Sequence, residues 1–219
     1  MTKINRQTGM SLFEITIVLI IFGLLLGAVL KGQSMIQNTR TKSLIAEKDK
    51  IVSAYNLFID RYRALPGDYA SASTAFGCGD GQCFNGNGNG TIDDGENVAV
   101  WQHLISAKFL NGDLAYDGNP PNSLNSLVNP FGGIMKIENG GIYDPPTAKR
   151  HVLHFGSLIP VEVLAEVDRK IDDGLPFRGR FEFSKYSSDG INPSVATCIA
   201  DSAWYIEGGE TNCGALWIL

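Results

Sequence analysis

The chain has 219 residues, of which 18 are Lys or Arg and 23 are Asp or Glu, giving a formal net charge of -5. That balance argues against a general phosphate-backbone binder, which needs a concentrated positive footprint, while the length allows a real core in one or two domains. The 25 glycines, many set among Asn and Asp in mid-chain, predict long stretches of turn there.

A short polar leader carrying Lys3 and Arg6 ends at Gly9. Residues 10–30 follow as MSLFEITIVLIIFGLLLGAVL, apolar except for Ser11, Glu14 and Thr16. No small-residue cleavage site of the signal-peptide kind follows Leu30, so the segment reads as retained. At about 1.5 Å per residue it is just long enough to cross the hydrocarbon layer. The basic leader places the N terminus on the cytoplasmic side and exports the rest. Ser11 and Thr16 read as local backbone hydrogen-bonders. A carboxylate at Glu14 is costly in such a run unless it is paired or hydrogen-bonded.

No proline occurs before Pro66, and Met35, Leu44, Ile45, Ile51, Val52, Tyr55, Leu57, Phe58, Ile59 and Tyr62 recur with mostly helical spacing. Two readings fit: an anchor plus a separate amphipathic helix, or one helix from about residue 10 to about residue 62, roughly 80 Å long. Gly23, Gly27 and Gly32 are soft points rather than breaks, and LPGD at residues 65–68 is a good terminator. Residues 69–95 read as loop and residues 98–109, VAVWQHLISAKF, as a helix packed on a core. Residues 111–129 are turn-like. GIMKIE, VLHFG and RFEFSKY are strand candidates, with VEVLAEVDRKIDDG between the last two a helix closed by Gly174. The terminal AWYIEGGETNCGALWIL suggests a hairpin or two edge segments. The fold class is therefore α+β: a long N-terminal helix, hydrophobic then amphipathic, packed on a small strand-rich head with inserted loops. Its segments are a leader (1–9), a transmembrane or core helix (10–30), an amphipathic continuation (31–65) and a soluble head (66–219).

Within the loop, residues 85–96 read NGNGNGTIDDGE, a spacing that fits a twelve-residue calcium loop. Asn85, Asn87 and Asn89 supply oxygens, Gly90 the sharp turn, Thr91 its carbonyl, Asp93 a further ligand and Glu96 a bidentate carboxylate, with Ile92 facing inward. Asn where Asp is common makes a weak site for Ca2+, suited to millimolar extracellular calcium. Asp80 is a further candidate ligand. The alternative is an Asn/Gly turn cluster that needs no metal. Asp168, Asp172 and Asp173 read as a solvated helix face.

Four cysteines allow three connectivities. Local pairing, Cys78 with Cys83 and Cys198 with Cys213, closes two short loops and fits exposure to the cell exterior. Finger-like metal spacing is absent. His103 falls in a predicted helix as a surface or packing residue, and His151 and His154 fall on opposite faces of a strand. No G-x-S-x-G or phosphate-loop motif supports turnover, so no catalytic residue is assigned. Arg178 and Arg180 in FRGRF read as solvated arginines beside packing aromatics, and Trp101, Trp204 and Trp217 as core.

TGMSLFEITIVLIIFG resembles the type IV prepilin N terminus shared by type IV pilins and type II secretion pseudopilins. The resemblance covers about the first quarter of the chain. It implies cleavage after Gly9 by a membrane peptidase, methylation of the new amine on Met10, and assembly through Glu14, the fifth mature residue. The partner of Glu14 would be the Met10 amine of the next subunit, which fixes one axial register. One departure is Lys31, where many family members carry a proline near the end of the apolar segment. The resemblance implies a structural subunit of a type IV pilus, with a periplasmic pseudopilin as the alternative. Its partners would be a homo-oligomeric helical filament, the prepilin peptidase, and an inner-membrane platform with its ATPase. Nucleic acid is not expected. The location implied is the bacterial inner membrane, then the periplasm or a surface filament. A membrane-tethered binding or catalytic domain is a different class that the anchor alone leaves open.

Overall fold

The structure, a computed structural model, describes residues 11–78, 83–114, 116–141 and 149–219. Gly9, Met10 and Asp80 lie outside the described residues. The first element, α1 (Leu12–Tyr62), is a single 51-residue helix. The chain divides into two compact units after Arg40.

In the first unit, Leu12–Val29 has a mean hydropathy of 2.7 and is apolar and long enough to cross a membrane. None of its side chains is buried, and Leu12 and Leu24 are among the most exposed. The helix begins on a capping arrangement, S-x-x-E, in which Glu14 Oε2 accepts the Ser11 N–H at 2.9 Å and Ser11 Oγ accepts the Phe13 N–H. Thr16 Oγ1 donates to the Phe13 carbonyl at 2.8 Å, the local bonding expected of it.

The second unit contains the rest of α1 and the head. Thr41, Leu44, Lys48, Ile51, Tyr55 and Phe58 are buried, and their spacing by three and four places them on one stripe. Lys48 buries its aliphatic stem, bonds Asp49 Oδ1 at 2.7 Å and sets its ammonium 4.2 Å from the Trp217 ring centroid. Short helices α2 (Ala72–Phe76) and α3 (Glu96–Ser106) follow. Next come β1 (Lys136–Gly141), β2 (Lys149–His154), α4 (Val161–Ile171) and β3 (Phe181–Phe183). The chain ends with α5 (Val195–Cys198), the pair β4 (Ile199–Ala200) and β5 (Ala203–Trp204), and β6 (Ala215–Ile218).

The main sheet has the order β1-β2-β6-β3 and is antiparallel throughout. Ile137, Leu153, Trp217 and Phe181 stand in one row of the register and face the main core with Ile51, Phe58, Trp101 and Leu104. Val152, Leu216 and Ile218 form a smaller cluster on the other face. The terminal segment departs from the sequence expectation: β6 is central, not an edge, and every residue of ALWI is buried because both faces of the sheet are covered. Helix α3 starts two residues before the expected position, because Gly95 at φ 91 turns the chain directly into Glu96. Strand β3 keeps only the FEF of RFEFSKY.

Both local disulfides, Cys78–Cys83 and Cys198–Cys213, are formed. The three tryptophans are buried as expected, and of the two readings of His103, surface or packing, its full enclosure bears out packing. The aspartate face on α4 is a second departure. Asp168 is wholly buried, with Oδ2 accepting Trp204 Nε1–H at 2.7 Å and Oδ1 accepting the Gly174 N–H at 3.0 Å. The indole supplies what water would have, which is why this carboxylate can leave the surface.

Candidate functional site

The loop that carries the oxygen-rich motif is built from the end of α1. Arg63 takes φ 54 as the helix stops, and Pro66 cannot donate a helical hydrogen bond. Gly67 takes φ +92, and a Cβ there would lie 2.6 Å from the Glu96 carbonyl oxygen and 2.8 Å from Val100 Cγ2. Only glycine lets α3 approach this closely. The same approach brings His103 into reach: its Nδ1 accepts the Gly67 N–H at 2.9 Å and its Nε2–H donates to the Phe84 carbonyl at 2.8 Å. The ring stacks on Phe58 with centroids 6.0 Å apart. Burial pushes the imidazole down to about 4, against the pull of the Phe84 carbonyl.

Asp68 comes next and is only 4% exposed. Its Oδ1 accepts the N–H groups of Gly88 (2.5 Å) and Asn89 (3.1 Å), and its Oδ2 accepts that of Gly90 (2.8 Å). Around this carboxylate the loop closes on itself. Asn87 Oδ1 accepts the Asn89 N–H, and Asn89 Oδ1 accepts the Thr91 N–H. Asn89 Nδ2 donates to Asp93 Oδ2 at 2.7 Å, and Thr91 Oγ1 lies 3.1 Å from Asp93 Oδ1. Bonds from Asn89 and then Thr91 hold the Asp93 carboxyl below its usual range. Glu96, 3% exposed, returns both oxygens to the loop, Oε1 to the Asn87 N–H and Oε2 to the Asp93 N–H. Ile92 faces inward at 1% exposure, and its carbonyl accepts the Asn139 N–H, which ties the loop to β1.

Asn87, Asn89, Thr91, Asp93 and Glu96 therefore share one network, whereas Asn85 does not join it. Asn85 Oδ1 accepts the Ser73 N–H at 2.8 Å and its Nδ2 donates to Ser73 Oγ, bracing α2. The residue that sequence reasoning misses is Asp68, which bonds positions 20 to 22 residues away. No local spacing links it to the loop; its only signal is an acidic residue directly after the helix terminator.

The donor set is all oxygen, carboxylate and amide, which suits a hard cation rather than zinc or a thiophilic metal. Asp68 Oδ1 and Asn89 Oδ1 each already accept two hydrogen bonds, whereas Asp68 Oδ2, Asn87 Oδ1 and both Glu96 oxygens accept one each and keep a lone pair. Among the described residues no basic side chain forms an ion pair with Asp68 or Glu96. The residues present thus fit a divalent cation in chemistry.

Two other polar clusters stand in the head. Ligand atoms of Asp168, Asp172 and Asp173 lie within 4.8 Å of one another, a set able to coordinate a divalent cation. Asp172 Oδ2 already accepts the N–H groups of Arg180 and Phe181. Burial pushes Asp168 up to about 6, partly offset by the Trp204 and Gly174 donors. On the smaller face of the sheet, His154 bonds Ser184 Oγ through Nδ1 at 2.8 Å, and its Nε2 lies 3.0 Å from Glu138 Oε1. Lys136 Nζ lies 2.6 Å from Glu138 Oε2. Burial opposes charge on Glu138, but the His154 and Lys136 bonds hold it down at about 2. This is a Ser–His–Glu chain in connectivity, yet Ser184 is 3% exposed and its hydroxyl also accepts the Tyr186 N–H. A substrate carbonyl has no route to it in this arrangement.

Comparison with protein-family models, curated proteins and solved structures finds no match. The fold itself defines the class: an α+β protein with a long N-terminal helix, apolar in its first part, followed by a small strand-rich head with loops. This architecture is consistent with a pilin-like plan and with a membrane-associated structural subunit.

The His103 geometry has a pH consequence. Its folded pKa, about 4, lies below the unfolded value near 6.5, so the folded state binds fewer protons. Stability present above the unfolded pKa is lost as pH falls through about 4, by up to about 3 kcal/mol. Asp168 has the opposite sign: its folded pKa is raised, so its contribution is present at acid pH and lost as pH rises through about 6. Urea unfolding between these limits is expected to show a smaller acid-side loss in His103→Gln, which keeps one donor and one acceptor without the titration.

Proposed function

We propose that the chain is the structural, non-enzymatic subunit of a type IV pilus filament, stored in the inner membrane and assembled through α1. The observation that carries this reading is the segment Leu12–Val29, apolar and with none of its side chains buried. Such a surface needs lipid or neighbouring helices around it, and a helical filament supplies the second. Glu14 fits the same role. Among the described residues its carboxylate accepts only the Ser11 N–H, a neutral donor. Cleavage after Gly9 creates a charged amine on Met10, retained on methylation, and the next subunit can offer that amine to Glu14. The charge-assisted pair is stronger than the local bond and exists only at one axial offset. The two disulfides suit the oxidising side of the membrane. Prepilin peptidase and an inner-membrane platform with its ATPase are the partners this assembly needs. A pseudopilin of a type II secretion system shares the helix physics and differs in where the filament ends.

We assign the loop at residues 85–96 to Ca2+, with Asp68 taking the place expected of Asn85. Asp68 is the carboxylate that accepts the N–H of Gly90 at the sharp turn, while Asn85 is occupied by Ser73. Asn87, Asn89, Asp93, Glu96 and the Thr91 carbonyl complete the oxygen set. Bound calcium would neutralise two buried carboxylates and hold the loop on β1.

Four outcomes test these readings. Intact-mass analysis of the native protein is expected to begin at Met10 with one added methyl; a chain that retains Met1 overturns the processing. Glu14→Gln keeps an acceptor for the Ser11 N–H but removes the charge, so it should insert normally and assemble poorly. Filaments at normal yield would remove the pairing. Surface filaments on intact cells support the pilus, and filaments confined to the periplasm with loss of secretion on deletion support the pseudopilin. Calcium titration monitored by loop proteolysis should be weakened by Asp68→Asn at least about tenfold, as loss of one buried charge interaction allows. Asn85→Ser should leave it nearly unchanged, and equal effects of the two variants would overturn the assignment of Asp68.

A further inference from the structure

The chain contains five Asn–Gly pairs, at Asn85, Asn87, Asn89, Asn111 and Asn139. In such a pair the glycine N–H, unshielded by a side chain, loses its proton to base and its nitrogen attacks the Asn side-chain carbonyl carbon. The new C–N bond forms as the bond to the amide nitrogen breaks, and ammonia leaves with the proton. Water then opens the succinimide to aspartate or isoaspartate. Three of the five pairs crowd into six residues of the oxygen-rich loop, where new charges or an extra backbone methylene would rebuild it.

The fold cannot avoid these glycines. A Cβ on Gly86 would overlap the Asp68 backbone, and Gly88 and Gly90 take φ +73 and φ +84. The same turn that demands the glycines engages their N–H groups. Gly86 N–H donates to the Tyr69 carbonyl at 3.1 Å. Gly88 N–H is shared between the Asp68 carbonyl at 3.0 Å and Asp68 Oδ1 at 2.5 Å, and Gly90 N–H donates to Asp68 Oδ2 at 2.8 Å. Asn139–Gly140 lies in β1, inside the antiparallel ladder with β2. Asn111 and Gly112 are both exposed, outside any helix or strand. The Gly112 N–H donates to no group among the described residues.

We propose that Asp68 and the Tyr69 carbonyl protect the loop asparagines from deamidation, and that Asn111 is the position at which the folded head modifies itself. Two effects act together at Gly88 and Gly90. A hydrogen bond to a carboxylate must be broken before the nitrogen can turn toward its own Asn side chain. Removing the proton beside that carboxylate also places a second negative charge against the first, which raises the pKa of the N–H. At Gly86 only the first effect operates, through a neutral carbonyl. The protection needs no cation and does not rest on the calcium assignment.

The test is peptide mapping by mass spectrometry after incubation of the full processed chain in detergent, at mildly alkaline pH with a chelator present. The chelator separates this proposal from the calcium reading, since only the latter fails if the loop proves indifferent to the metal. In the folded chain Asn111 should convert first, with Asn85, Asn87 and Asn89 at least about tenfold slower, the factor that about 1.4 kcal/mol of local opening free energy supplies. In denaturant with the disulfides reduced, all four should convert at similar rates. Asp68→Asn should raise the rates at Asn87 and Asn89 and leave Asn85 slow under its Tyr69 bond. Should that variant unfold, the comparison of folded and denatured parent chain decides alone. Asn87 or Asn89 keeping pace with Asn111 in the folded parent, or unmoved in a folded Asp68→Asn variant, would overturn the proposal.

Discussion

The buried carboxylate of Asp68 is the interaction on which the first half of the head depends. Its position follows from the end of α1, where Pro66 stops the helix and Gly67 allows α3 to come close. Three consecutive N–H groups, from Gly88 to Gly90, then have to converge on it. Hydrogen bonds to a charged group contribute about 1.5–3 kcal/mol each, enough to hold a glycine-rich stretch that has little other reason to order. With residues 88–90 turned inward, Ile92 reaches the core and Glu96 arrives at the start of α3. Glu96 then bonds back to Asn87 and Asp93, and α3 carries His103 to the N–H of Gly67. The circuit closes on the residue next to where it began, so a break anywhere in it loosens the whole.

Much of the frame is legible in the residues alone, because it rests on local periodicity. The stripe Leu44, Ile51, Tyr55, Phe58 and the terminator at residues 65–68 mark α1 and its end; the oxygen pattern at residues 85–96 marks the loop. What escapes is set by contacts distant in sequence. Asp68 has no periodic relation to the loop it organises. Asp168 looks like a solvated acid until Trp204, 36 positions away, supplies its donor. Strand β6 looks like an edge because a four-residue apolar run carries no sign of which neighbours it will have. Of the loop asparagines, Asn85 shares the pattern but not the destination, since Ser73 in α2 holds it elsewhere.

On the proposed function, Glu14 would serve two settings. In the single helix it completes a capping box with Ser11, answering one of the donors every helix start leaves open. That bond makes the carboxylate tolerable in an apolar surrounding without using its charge. In the filament proposed above, that charge would meet the Met10 amine of a neighbouring subunit. The capping bond also orients the carboxylate toward the start of the helix, which is where a neighbouring amine would have to arrive.

The placement of β6 has a consequence for the order in which the head is made. It lies between β2 and β3, yet it is the last of the four strands along the chain. Until residues 215–218 are available, β2 and β3 have no common neighbour, and Trp217 has not reached Lys48. The sheet is therefore completed at its middle by the strand that comes last of the four along the chain. The bridge from Cys198 to Cys213 then fixes the segment that leads into this central strand.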